Sequence, residues 1–187
     1  MAAPYTPPVD NPDGAYLVRF DEKGQPISTR FEMHPNVREA TSAAMLLDNP
    51  LIEENVAKRD FPSNPRGSCT GRTIPGPQDN SYSVVQNCLG TWLNQNSGGD
   101  IGDPYNRGGV FYCRQGDTLL AVCLYDQQYI AGSPAEIQTF NGIMDQDCGS
   151  WRSGYVFIKD WNKTYWRTTW GEEICGNDGG VRKQVYA

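Results

Sequence analysis

The sequence predicts an α+β fold: a small antiparallel sheet with two helices on one face, ordered α-β-β-α-β-β, stapled by disulfides and preceded by a pro-segment. Three observations predict it. All six Cys lie from Cys69 to Cys175. From residue 80 onward, apolar residues alternate between a helical period and a strand period. Composition also breaks near residue 60: residues 1–59 hold no Cys and no Trp, while 60–187 hold all six Cys and all five Trp. The chain is therefore divided into a pro-segment, 1–59, and a cysteine-stapled domain, 60–187.

In the first segment, Tyr16-Leu17-Val18-Arg19-Phe20 and Ile27-Ser28-Thr29-Arg30-Phe31 read as a hairpin around the turn-forming residues 21–26. Asn36 is placed to cap a helix over 37–47, with Ala40, Ala43, Ala44 and Leu47 at helical spacing. With so few large apolar groups, these 59 residues make a poor independent core. They are expected to lean on the second domain or to be disordered. Pro62 and Pro65 keep the chain that follows extended.

Helix one begins at Asn80 or Ser81, with Val84/Val85, Cys88/Leu89 and Trp92 on one face, and ends before Ser97-Gly98-Gly99. A polar loop over 98–109 follows. Residues 110–113 and 119–125 flank Arg114-Gln115-Gly116-Asp117, a hairpin signal. Ser133-Pro134-Ala135-Glu136 is a capping box with Pro at the first helical position, and Ile137, Phe140, Met144 and Cys148 form the stripe behind it. Residues 155–159 and 164–170 make the last hairpin around Asp160-Trp161-Asn162-Lys163.

A formal net charge of −6 and a pI near 4.7 argue against nucleic acid and anionic membranes, which need a basic footprint. No apolar run is long enough to span a bilayer. The first residues lack the basic and apolar regions of a signal peptide, so the chain is either cytosolic or has lost its signal. Cysteine usage decides for secretion. There is no Cys-x-x-Cys pair, and the only His, His34, is far from every cysteine in sequence. That spacing suits no zinc site, so no metal and no cofactor is expected. Three disulfides among Cys69, Cys88, Cys113, Cys123, Cys148 and Cys175 fit an oxidising compartment, with the pairing left open. Asn162-Lys163-Thr164 is a glycosylation sequon. Lys58-Arg59, followed by Asp60, is a dibasic site of the kind cut by kexin-type proteases, and it coincides with the composition break.

After residue 59 there is no His, which removes His-based nucleophile activation and His-ligated metals from the second domain. Asp100, Asp103, Asp145, Asp147, Glu172 and Glu173 remain as candidate carboxylates, but no spacing marks the facing pair that a glycosidase needs. The Gly-rich stretches 98–109 and 176–180 match no phosphate loop and read as loops. The stronger hint is aromatic: Trp151, Tyr155, Phe157, Trp161, Tyr165, Trp166 and Trp170 crowd together. Strand alternation sets Tyr165 and Arg167 on one face and Trp166 and Trp170 on the other. Trp161, Tyr165, Arg167 and Trp170 form the candidate binding surface, for a protein or a sugar.

A Cys-free acidic leader, a Lys-Arg junction and a Cys-stapled domain resemble the proproteins of secreted fungal effectors and toxins. The hairpin at Asp21-Glu22-Lys23-Gly24, after Tyr16-Leu17-Val18-Arg19, resembles their leaders. The helix–hairpin order, with Phe140 to Cys148-Gly149 closing the second helix, is similar to killer-toxin-like α/β sandwiches. The resemblance implies a secreted virulence or antagonism protein, activated by removal of its leader and located outside the cell, with the host apoplast as one such space. It would act by binding a host target, as a receptor or other protein, rather than by turnover. Two alternatives stand beside it: a carboxylate-dependent hydrolase of cell-wall glycan, and a non-catalytic carbohydrate-binding module.

Overall fold

The computed structural model describes residues 4–31, 61, 65–101, 108–125, 129–130 and 132–176. The expected helix over 37–47, the Lys58-Arg59 junction, Asp103 and most of the 176–180 loop lie outside the described residues. The strands are β1 (Gly14–Phe20), β2 (Pro26–Phe31), β3 (Gly67–Thr73), β4 (Gly108–Gln115), β5 (Thr118–Tyr125), β6 (Arg152–Ile158) and β7 (Lys163–Thr169). The described helices are α1 (Ser81–Asn96) and α2 (Pro134–Cys148), with short 3-10 turns at Pro77–Asp79 and Lys159–Trp161.

Each expected hairpin forms. β1 and β2 pair from Ala15↔Phe31 to Phe20↔Pro26. β4 and β5 pair from Gly108↔Tyr125 to Gln115↔Thr118. Gly116, at φ 56°, takes the turn between them, where a side chain would be strained. β6 and β7 pair around Asn162, whose short amide side chain tolerates its left-handed φ of 48°. At α2 the Ser133 hydroxyl accepts from the Glu136 N–H, as the capping box requires. The other half of the box does not close, because the Glu136 carboxylate turns inward to Lys163.

All seven strands join one antiparallel sheet in the order β2-β1-β4-β5-β7-β6-β3. This corrects the expectation of a small sheet backed by two helices. The N-terminal hairpin enters the sheet through β1, which pairs with β4 from Gly14↔Arg114 to Val18↔Val110. β3 adds the opposite edge by pairing with β6. β3 has no apolar alternation to announce it, and its register slips between Cys69 and Thr73.

The sheet is covered on both faces. Helix residues Val85, Cys88, Leu89, Leu93, Ile137, Phe140 and Met144 meet Phe111, Leu120, Val122, Val156 and Tyr165 on one face. The other face is not bare. Val18, Phe20, Val110, Tyr112, Leu119, Ala121 and Cys123 are buried there beneath Tyr5, Ile174 and Cys175. Both faces of β5 are therefore covered, which explains its unbroken buried run. Tyr5 and Ile174 exchange backbone hydrogen bonds of 2.9 and 2.8 Å, tying an arm before β1 to the chain beyond β7.

All six cysteines pair. Cys69–Cys148 joins β3 to the end of α2, Cys88–Cys113 joins α1 to β4, and Cys123–Cys175 joins β5 to the segment after β7. With sequence separations of 79, 25 and 52 residues, the loop-closure argument gives each roughly 3–4.5 kcal/mol.

Candidate functional site

Alternation along β7 placed Tyr165 and Arg167 together, and they do share the helix face. That face is dry. Tyr165 is fully buried and Arg167 is 2% exposed. Neither can present itself to a partner, which removes both from the candidate binding surface. Arg167 instead closes the end of α2. Its Nε donates to the Arg152 carbonyl at 2.8 Å, its Nη2 to the Gly149 carbonyl at 3.1 Å, and its Nη1 lies 2.8 Å from the Asp145 carboxylate. A cation at a helix C-terminus complements the helix dipole and satisfies carbonyls that the helix leaves open.

Tyr165 belongs to a buried polar cluster at the start of α2. Its hydroxyl donates to Glu136 Oε2 at 2.9 Å, and the Lys163 ammonium donates to the same oxygen. Burial, reinforced by the Glu136 charge, holds the Tyr165 hydroxyl well above its ordinary pKa. The Lys163 ammonium also faces the Trp161 ring, 4.8 Å from its centroid. Trp161 is half-buried, and Phe61 packs on it edge-on at 5.3 Å. Trp170, also half-buried, is roofed by the Arg114 guanidinium at 3.9 Å, and its Nε1 donates to the Val9 carbonyl at 3.2 Å. Thus only Trp161 and Trp170 of the four predicted residues reach solvent, and they are not on one patch. Asn162 is exposed, with its Nδ2 donating to the Tyr125 carbonyl at 2.8 Å.

The wetter aromatic surface lies on the opposite face, at the β6–β7 end. Tyr155 stacks on Trp166 with centroids 4.3 Å apart, and Phe157 meets Tyr125 edge-on at 6.2 Å. Tyr155 and Phe157 are half-buried, and Trp166 is 8% exposed. Burial pushes the Tyr125 hydroxyl up to about 12. Next along the same strands come Ser153 and Thr168. Ser153 is bonded to Thr70 and to the Arg72 backbone. Arg72 then pairs with Glu172 at 2.6 Å.

Three buried polar atoms in this stretch, Trp166 Nε1, Thr168 Oγ1 and Glu172 Oε2, have no hydrogen-bond partner among the described residues. Native structures leave few such groups unsatisfied. Burial raises the Glu172 carboxyl above its ordinary value, with Arg72 and a Thr169 backbone hydrogen bond pulling the other way. Sequence reasoning had Tyr155, Phe157 and Glu172 in view without joining them. Arg72 was out of reach because β3 had no signal.

Two further candidate carboxylates have structural work. Asp147 accepts from the Gly67 N–H at 2.7 Å, and Asp145 faces Arg167. Among the described residues, no group of three or more His, Cys, Asp and Glu gathers to hold a metal ion. No described helix is long and apolar enough to cross a membrane.

The class these observations define is a disulfide-stapled antiparallel α+β protein with an aromatic patch on one sheet face. No family model, curated protein or solved structure matches the chain.

Proposed function

We propose that this chain is a secreted effector or toxin-like protein of the fungal kind. It is made as a proprotein, cut by a kexin-type protease after Lys58-Arg59, and acts by binding a host protein. The observation that carries the reading is the β6–β7 patch. It sets the half-buried Tyr155 and Phe157 beside the Arg72–Glu172 pair at the sheet edge. Aromatic anchors next to an arginine are the composition of an interaction hot spot. Three disulfides suit an oxidising extracellular space, and with every cysteine paired no described thiolate offers nucleophilic turnover.

The test is a dose series on host tissue, reading cell death and defence output. Tyr155→Ala with Phe157→Ala should raise the effective dose at least ~30-fold, the size of a two-residue hot-spot loss. Its circular dichroism should match the parent. Full potency of the double variant would sink the reading.

A second reading, a glycan-binding surface, is favoured by the half-buried Tyr155 and Phe157 and by the raised Glu172. Titration with chitin, glucan and mannan oligosaccharides while following Trp fluorescence separates the two. A saturable change lost in Tyr155→Ala would favour the sugar. Turnover of the glycan that disappears in Glu172→Gln would favour a hydrolase.

A further inference from the structure

The three disulfides join Cys69 to Cys148, Cys88 to Cys113 and Cys123 to Cys175, so none reaches residues 4–31. Residues 4–31 are nevertheless built into the sheet. β1 lies between β2 and β4, inside the edge. Its Tyr16, Val18 and Phe20 enter the second core with Val110 and Tyr112, and Tyr16 stacks on Tyr112 at 4.8 Å.

The arm before β1 is fastened just as closely. Asn11 Nδ2 donates to the Tyr112 hydroxyl at 2.9 Å, and Arg114 donates to the Asn11 carbonyl. The Asp13 carboxylate accepts from the Gly116 N–H and from Gln115 Nε2, each at 2.9 Å. Further out, Trp170 holds the Val9 carbonyl and Ile174 pairs with Tyr5. Were this arm and strand to leave, β4 would become a long edge, and one face of β4 and β5 would lose its cover.

We propose that cutting the chain after Arg59 does not release residues 1–59. The cut yields a two-chain protein in which 60–187 keeps the fragment as a non-covalent partner. The interface is the β4 edge together with the floor of Tyr112, Trp170 and Ile174. It fits an extended segment that sends Tyr16, Val18 and Phe20 inward on alternate positions. This inference rests on the reading of Lys58-Arg59 as a processing site. It revises that reading in one respect, since maturation then proceeds without loss of the leader.

The experiment digests the oxidised full chain with a kexin-type protease and follows it by native mass spectrometry and size exclusion. The expected result is one native species carrying both pieces. The two should separate only under denaturing, non-reducing conditions. A fragment 1–59 that elutes alone in native buffer overturns the proposal.

If the protease leaves the chain whole, the processing reading fails by itself. Retention is then measured on a chain with a site-specific protease sequence inserted after Arg59. Tyr16→Ala supplies the second arm. Its uncut chain is expected to stay folded, because the covalent connection makes the docking of β1 intramolecular. Its cut form should lose the fragment at least ~100-fold faster than the parent, as expected for removing a buried aromatic. An unchanged dissociation rate would show that β1 is not the hold.

Discussion

Arg167 is a charge that the fold has taken almost wholly out of water, and its donors go to the Gly149 carbonyl at the end of α2 and the Arg152 carbonyl at the start of β6. Arg167→Ala would orphan both carbonyls. Each such loss costs about 1–3 kcal/mol, so stability from urea unfolding should fall by about 2–6 kcal/mol, through a lower midpoint at unchanged slope. Glu172 offers a pH test. Its pKa is raised above the ordinary 4.5, so the native state holds the proton more tightly than the unfolded chain. Its stabilising contribution is then full below 4.5 and is lost as pH rises through the raised value. Urea midpoints measured from acid to neutral pH should decline across that window in the parent and flatten in Glu172→Gln. At this scale the sequence was half legible. Alternation sorted Tyr165 and Arg167 from Trp166 and Trp170 correctly. Which side would be wet depended on Tyr5, Ile174 and Cys175, residues far away in the chain.

Among the elements, the helices and three hairpins announced themselves through period and turn chemistry, and their ends fall within a few residues of expectation. β3 did not, because Gly67-Ser68-Cys69-Thr70-Gly71-Arg72-Thr73 offers almost no apolar surface to pattern. Its place is secured instead by its neighbours. Gly154 on β6 has no Cβ, and one added there would collide with the Ser68 carbonyl and come within 2.6 Å of Met144 Cε. Asp147 holds the Gly67 N–H, and Cys148 holds Cys69. Gly154→Ala should therefore push β3 off β6 at a cost of about 1–3 kcal/mol. Hydrogen exchange would detect it as lost protection at Gly67 to Cys69, while β4 and β5 keep theirs.

Taken whole, the molecule is a sheet flanked by the β1–β2 hairpin on one side and β3 on the other. The bonds follow that layout. Cys88, Cys113, Cys123 and Cys175 are buried, whereas Cys69 is exposed on the β3 edge. Graded reductant with alkylation and peptide mapping should open Cys69–Cys148 first, with Cys88–Cys113 and Cys123–Cys175 resisting until the fold itself opens. Simultaneous reduction of all three would contradict this ordering. The architecture was only partly legible in the sequence. Hairpins can be read locally, but the joins β1–β4 and β3–β6 bring together residues that no window contains.

That β1–β4 join has a consequence for synthesis. The strand Gly14–Phe20 is made early, yet its partner Val110 to Arg114 is made some ninety residues later. At ~5–20 residues per second the wait is about 5–20 s. During it, the nascent hairpin carries Tyr16, Val18 and Phe20 with nothing to cover them. Such a chain folds around distant contacts and therefore slowly. Its first-made strand is among the last to be sheltered, and a chaperone that holds the nascent N-terminus would have that hairpin as its natural client.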